Sequence, residues 1–147
     1  MISKRFVLAG RAVFTLEVPA DFIVSQRALG NECKPHYTFR VNFSESYGGK
    51  WFVNLLTGPD NTRSYSYVGE VNPETGAVKL TQRSTYKITT LPVRLLQRVL
   101  ANVWAESDAL EHHGFSLHHV GKCGRCGRPL TVPASILSGI GPECAKK

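Results

Sequence analysis

The chain has 147 residues, 42% of them hydrophobic and 20% charged, which is enough for one buried core and a small appendage. Aromatic residues at 10%, with glycine and proline spread along the chain, exclude a disordered polymer, and no apolar run approaches the ~20 residues that span a bilayer. A total of 18 Lys and Arg against 11 Asp and Glu leaves a formal charge of +7, which favours polyanionic partners: nucleic acid, an acidic protein face or anionic lipid.

The N-terminus places Lys4 and Arg5 before Phe6-Val7-Leu8, as a signal peptide does, but the apolar stretch is too short and Arg11 interrupts it. The expectation is a cytoplasmic protein. Ala12 to Val18 reads as a strand at a sheet edge, whereas residues 19 to 36 carry no assignable pattern. From Tyr37 the alternation is clear: Tyr37, Phe39, Val41 and Phe43 share one face, and Thr38, Arg40 and Asn42 take the other. Gly48-Gly49 forms a turn, Trp51 to Leu56 a second strand, and Thr57 to Asn61 a loop dense in turn residues. Tyr65 to Val71 and Val78 to Thr81 follow as strands around a hairpin turn at residues 72–76.

The period then changes. Leu91, Leu95, Leu96, Val99, Leu100, Val103 and Trp104 recur at helical spacing, with Arg94, Gln97, Arg98 and Asn102 opposite. Pro92 suits a first helical turn and Thr90 an N-cap. The apolar stripe is expected to cover the sheet, because a sheet with one apolar face must bury it. The predicted fold class is therefore α+β: an antiparallel β-meander covered by one amphipathic helix, plus a small C-terminal zinc-finger unit. The boundary falls near residue 112, with residues 1–111 forming the sheet-plus-helix domain and 112–147 the tail.

The tail holds three of the four cysteines. Cys123 and Cys126 are separated by two residues, a spacing that lets both sulfurs face one point, and the glycines beside them permit the tight backbone turn. Lys122, Arg125 and Arg128 favour the thiolate form. Cys144 supplies a third sulfur near a last helical turn opened by Pro142. Structural zinc takes four tetrahedral ligands, thiolates with or without imidazole. The fourth is read as His119, with His118 and then Cys33 as the alternatives. A closed set of four keeps no position for substrate, so the expected Zn2+ is structural. Leu130, Val132, Ile136, Leu137 and Ile140 are a meagre core, and a metal supplies the missing stability.

These residues also carry a resemblance. His119-Val120-Gly121-Lys122-Cys123, the run from Cys126-Gly127-Arg128 through Leu130-Thr131 and Pro133 to Ser135, and Gly139-Ile140-Gly141-Pro142-Glu143-Cys144 resemble a zinc-finger-like domain of unknown function frequent in small phage and prophage proteins. The similarity covers about the last 30 residues. Leu55 to Asn61, followed by Tyr65 to Gly69, looks like the companion region of some of those proteins, whereas the stretch between Leu16 and Tyr37 is longer here. The resemblance implies zinc, a phage or prophage origin and hence the cytoplasm of a bacterial host, and it implies no reaction.

Nothing in the chain reads as catalytic. His112 and His113 lie near Glu106, Asp108 and Glu111 and read as solvated linker residues, with a His-plus-carboxylate metal site as the alternative; His36 reads as a surface or hydrogen-bonded residue. Gly48-Gly49-Lys50 lacks the upstream glycine and following hydroxyl of a phosphate loop. The expectation is a protein that is not an enzyme. Between Glu74 and Glu106 there is no acidic residue, and Lys79, Arg83, Lys87, Arg94 and Arg98 fall there. With Lys122, Arg125, Arg128, Lys146 and Lys147 they are read as one basic face for nucleic acid, with Tyr65, Tyr67 or Trp51 available for stacking. The other reading is an interaction protein that docks on a host nucleic-acid-processing or defence complex.

Overall fold

The computed structural model describes residues 2–60 and 63–146; the end of the turn expected at Thr57–Asn61 and the terminal cation Lys147 lie outside the described residues. Five strands follow the expected order: β1 (Arg11–Glu17), β2 (His36–Ser44), β3 (Lys50–Leu56), β4 (Tyr65–Val71) and the two-residue β5 (Val78–Lys79). Each pairs antiparallel with the next, as a meander requires. A sixth strand, β6 (Ser116–His119), returns to the free edge of β1, so the sheet runs β5-β4-β3-β2-β1-β6. Residues past 112 therefore complete the same sheet as residues before it.

The alternation along β2 sets the two faces. Tyr37, Phe39 and Val41 are buried on one side with Ala12, Phe14 and Leu16 of β1 and Val53 and Leu55 of β3. The helix α3 (Leu91–Trp104) covers that side and contributes Leu95, Leu96, Val99, Leu100 and Val103 to the same core. Pro92 stands in its first turn as expected, and Thr90 occupies the N-cap without a side-chain cap bond. Gln97 on α3 accepts the Val78 N–H (3.1 Å) and donates to the Val78 carbonyl (2.8 Å), acting as the missing strand neighbour of β5. Trp104 closes the end of the helix: its indole N–H donates to the Pro73 carbonyl in the β4–β5 turn.

The two helices that precede β2 were not legible. α1 (Lys4–Val7) is a single turn capped by Ser3, whose hydroxyl accepts the Phe6 N–H; it buries Phe6 and Val7 in the core. α2 (Ala20–Ala28) buries no residue, which explains the missing pattern: Phe22, Ile23 and Val24 are consecutive and fall on no common face. It touches the core through Phe22, whose ring meets Phe115 edge-on at 5.1 Å between centroids, and through the half-buried Ile23. Three short helices, α4 (Ala109–His112), α5 (Pro133–Ser138) and α6 (Pro142–Ala145), complete the chain. Among the described residues no helix is long and apolar enough to cross a membrane.

Candidate metal centre and the open sheet face

The candidate metal centre is built on a tight hairpin. Leu130 N–H donates to the Gly121 carbonyl and Cys123 N–H to the Arg128 carbonyl, both at 2.8 Å, which bends Cys123–Gly127 into one turn. Cys144 arrives from the other side on α6, where Pro142 opens the helix. The three sulfurs of Cys123, Cys126 and Cys144 lie within 4.8 Å of one another. Thiolates around a zinc, each ~2.3 Å from it, stand about 3.8 Å apart, so three sulfurs this close could hold one metal ion. All four cysteines are free thiols.

Electrostatics distinguish the three sulfurs. Burial opposes ionisation of Cys123, yet backbone N–H groups of Gly141, Cys126 and Arg125 overcome it and lower the pKa to about 6. Two of those bonds are explicit, Gly141 N–H at 3.2 Å and Arg125 N–H at 3.4 Å from Sγ. Burial pushes the Cys144 thiol up, and its neighbours Cys126 and Cys123 push it further. One negative charge is thus favoured and another opposed until a cation enters. A thiolate already solvated by backbone N–H groups is a ready metal ligand.

None of the expected fourth ligands joins the three sulfurs. His119 sits on β6, where its Nδ1 accepts the Gly121 N–H at 2.9 Å and its Nε2 donates to the Ile136 carbonyl. His118, one residue earlier and hence on the other face, points to Glu17 at 3.7 Å. Cys33 is buried in the segment before β2, its thiol donating to the Lys34 carbonyl.

The tail is fastened to the sheet by contacts that the sequence did not suggest. Phe6 of α1, 1% exposed, lies directly over Gly124 and Gly139. A Cβ on Gly124 would stand 2.7 Å from the Phe6 ring and one on Gly139 at 2.4 Å, so the ring needs glycine at both positions. Gly139 also ends α5 with a φ of 76°, which glycine adopts without strain. Arg11 N–H donates to the Gly124 carbonyl, and Arg5 of α1 donates to the Ala145 carbonyl.

Among the described residues no helix lines the other face of the sheet. An open groove of about 900 Å³ crosses it, bounded by Arg11 and Lys122 at one side and Tyr65 at the other. Its floor holds the Thr15–Thr38 hydroxyl pair (2.7 Å) and Arg40, whose guanidinium stacks 4.1 Å from the centroid of Tyr65. None of the residues lining it is acidic. A second hollow adjoins it along β3 and β4, lined by Phe52, Tyr67 and Arg83 among others. The register joins the two, because Val13, Arg40, Asn54 and Tyr67 are successive partners across four strands.

The eight cations expected to bind a partner do not share one surface. Lys122 and Arg83 border the open face, and Lys79 stands opposite Glu70 in the β4–β5 register. Arg94 and Arg98 are exposed on the outer side of α3, across the sheet from the open face. Arg125 borders a hollow beside Arg5 and Trp51, while Lys87 and Arg128 are exposed in loops. Trp51 is half-buried and turns away from the groove, its indole N–H donating to the Leu8 carbonyl. Arg11 and Arg40 belong to the groove although the sequence reading left them out. The signal was there, since Arg40 stands on the polar side of the alternating β2.

Comparison with known proteins adds one fact. Residues 118–147 match a family of unknown function, DUF6011. The matched segment contains all three clustered cysteines and about a fifth of the chain. No curated protein and no solved structure matches the chain.

Proposed function

We propose that this chain is a non-enzymatic accessory protein of phage or prophage origin that carries a structural zinc ion and binds nucleic acid. The observation that carries the binding role is the division of the sheet: one face is sealed by α3, while the other lies open with Arg11, Arg40 and Lys122 and no carboxylate lining the groove. An open, cationic, polar face suits a polyanion. Zinc is held by Cys123, Cys126 and Cys144, with His119 as the fourth ligand once its ring releases the Ile136 carbonyl. The ion's part is to hold the hairpin and α6 together, and through Phe6 and Arg11 to hold the tail against the sheet.

The test is metal quantification followed by a salt-series binding assay against single- and double-stranded DNA and RNA. The expected result is about one zinc per chain and micromolar or tighter binding that weakens steeply with salt. Absence of binding to every polymer at low salt refutes the nucleic-acid role. One observation favours a second reading. Val120, Val132, Ile136 and Leu137 are exposed on the tail, with Leu137 at 75%, and exposed apolar groups of this kind suit a protein partner such as a host nucleic-acid-processing or defence complex.

A further inference from the structure

We propose that the nucleic-acid site is the open face of the sheet and that its ligand is a single strand, laid across β1 to β4 with its bases against the sheet. This rests on the nucleic-acid reading above and goes further, assigning the surface and the kind of polymer. Three features of the face carry it.

Cations mark both ends of one continuous path. Arg11 and Lys122 stand at the edge formed by β1 and the metal hairpin, and Arg83 stands beyond β4 in the adjoining hollow. Between them lie flat groups rather than more charge. The Arg40 guanidinium is stacked with Tyr65, which fixes its plane, and Phe52 and Tyr67 pack at 6.0 Å between ring centroids. Planar groups on a sheet surface stack on base faces, which a single strand exposes and a duplex hides. The third feature is the polar spacing. Asn54 sits in the same cross-strand row as Arg40 and Tyr67, offering an amide to base edges between the two planar groups.

Two acidic groups near the path have neighbours of their own. Glu70 is bridged to Lys50 at 3.4 Å, and Glu17, past the groove, faces His118. The outer side of α3, although it carries Arg94 and Arg98, presents no such run of aromatic residues and is excluded as the site.

The test uses the full zinc-loaded chain and fluorescence anisotropy with a labelled oligo-dT, an oligo-U of equal length and a DNA duplex. The expected order is single strand over duplex by about tenfold or more. Lys122→Glu and Arg83→Glu, both at exposed positions, each weaken single-strand binding about tenfold and reduce the salt slope, whereas the pair Arg94→Glu and Arg98→Glu leaves both within twofold. Zinc content is measured for every variant. A second readout needs no variant: photocrosslinking to bromouridine-substituted RNA maps to peptides containing Tyr65 or Tyr67. Tighter duplex binding, or loss confined to the Arg94/Arg98 pair, overturns the site assignment while leaving the nucleic-acid role intact. If the unaltered protein binds no polymer, both fall together.

Discussion

Replacing Phe6 by Ala tests whether the metal tail and the sheet form one cooperative unit. Phe6 is 1% exposed, lies in van der Waals contact with the positions of Gly124 and Gly139, and stands 5.8 Å from the His119 ring. Truncating a buried phenylalanine costs about 3–5 kcal/mol, the transfer term plus the cavity it leaves. Against a total stability of ~5–15 kcal/mol the variant still folds, with its melting midpoint lowered by about 6–20 °C for a chain of this size. The loss is not confined to the core. If only ~1.4 kcal/mol of it falls on the docking of the hairpin and α5, zinc binds about tenfold more weakly, because binding and docking share one folded state. Thermal unfolding with and without chelator gives the first quantity, and competition with a chromophoric zinc indicator gives the second. A Phe6→Ala protein that melts lower but holds zinc within twofold of the unaltered chain would refute the coupling. The tail would then be an independent unit that merely rests on the sheet.

Cys123→Ser removes the thiol whose pKa is lowered to about 6, and the variant is expected to lose stoichiometric zinc and to melt where the chelated parent melts. Gln97→Ala removes both bonds to the Val78 backbone and is expected to destabilise by about 1–3 kcal/mol, with hydrogen exchange quickened first at β5; unchanged protection at Val78 speaks against the edge-sealing role. Burial raises the pKa of Cys33 and of Tyr37 and Tyr65. A raised folded-state pKa means that the native chain keeps protons the unfolded chain has released, so this contribution is complete below pH ~9 and falls away as pH rises through the native values. Urea midpoints of the zinc-bound protein should decline between pH 9 and 10.5, more shallowly in Cys33→Ala. A flat profile contradicts the assignment.

The strands and the main helix were legible because each announces itself through its neighbours in sequence. The period-two run at Tyr37–Phe43 and the 3.6-residue stripe from Leu91 follow from burial on one side, and β2 and α3 form over nearly those spans. Gly76 and the hairpin around it were likewise local chemistry, with Asn72 Oδ1 accepting the N–H groups of Glu74 and Thr75. α2 escaped because it buries nothing, and α1 because one turn is too short to show a period. The cysteine spacing pointed to the three sulfurs that do converge, since two of them are neighbours in a turn.

The sequence by itself determined the fold class, the order of the meander and the cysteine cluster, all consequences of residue type at short separation. Only the tertiary structure decided where β6 pairs, that Phe6 clamps Gly124 and Gly139, and that the cations divide between two sides of the sheet. It also decided the present partners of the His119 ring, the Gly121 N–H and the Ile136 carbonyl. These are contacts between segments up to more than a hundred residues apart, as from Phe6 to Gly124 and Gly139. Their partners are selected by the way the sheet closes, a global packing that no local pattern encodes.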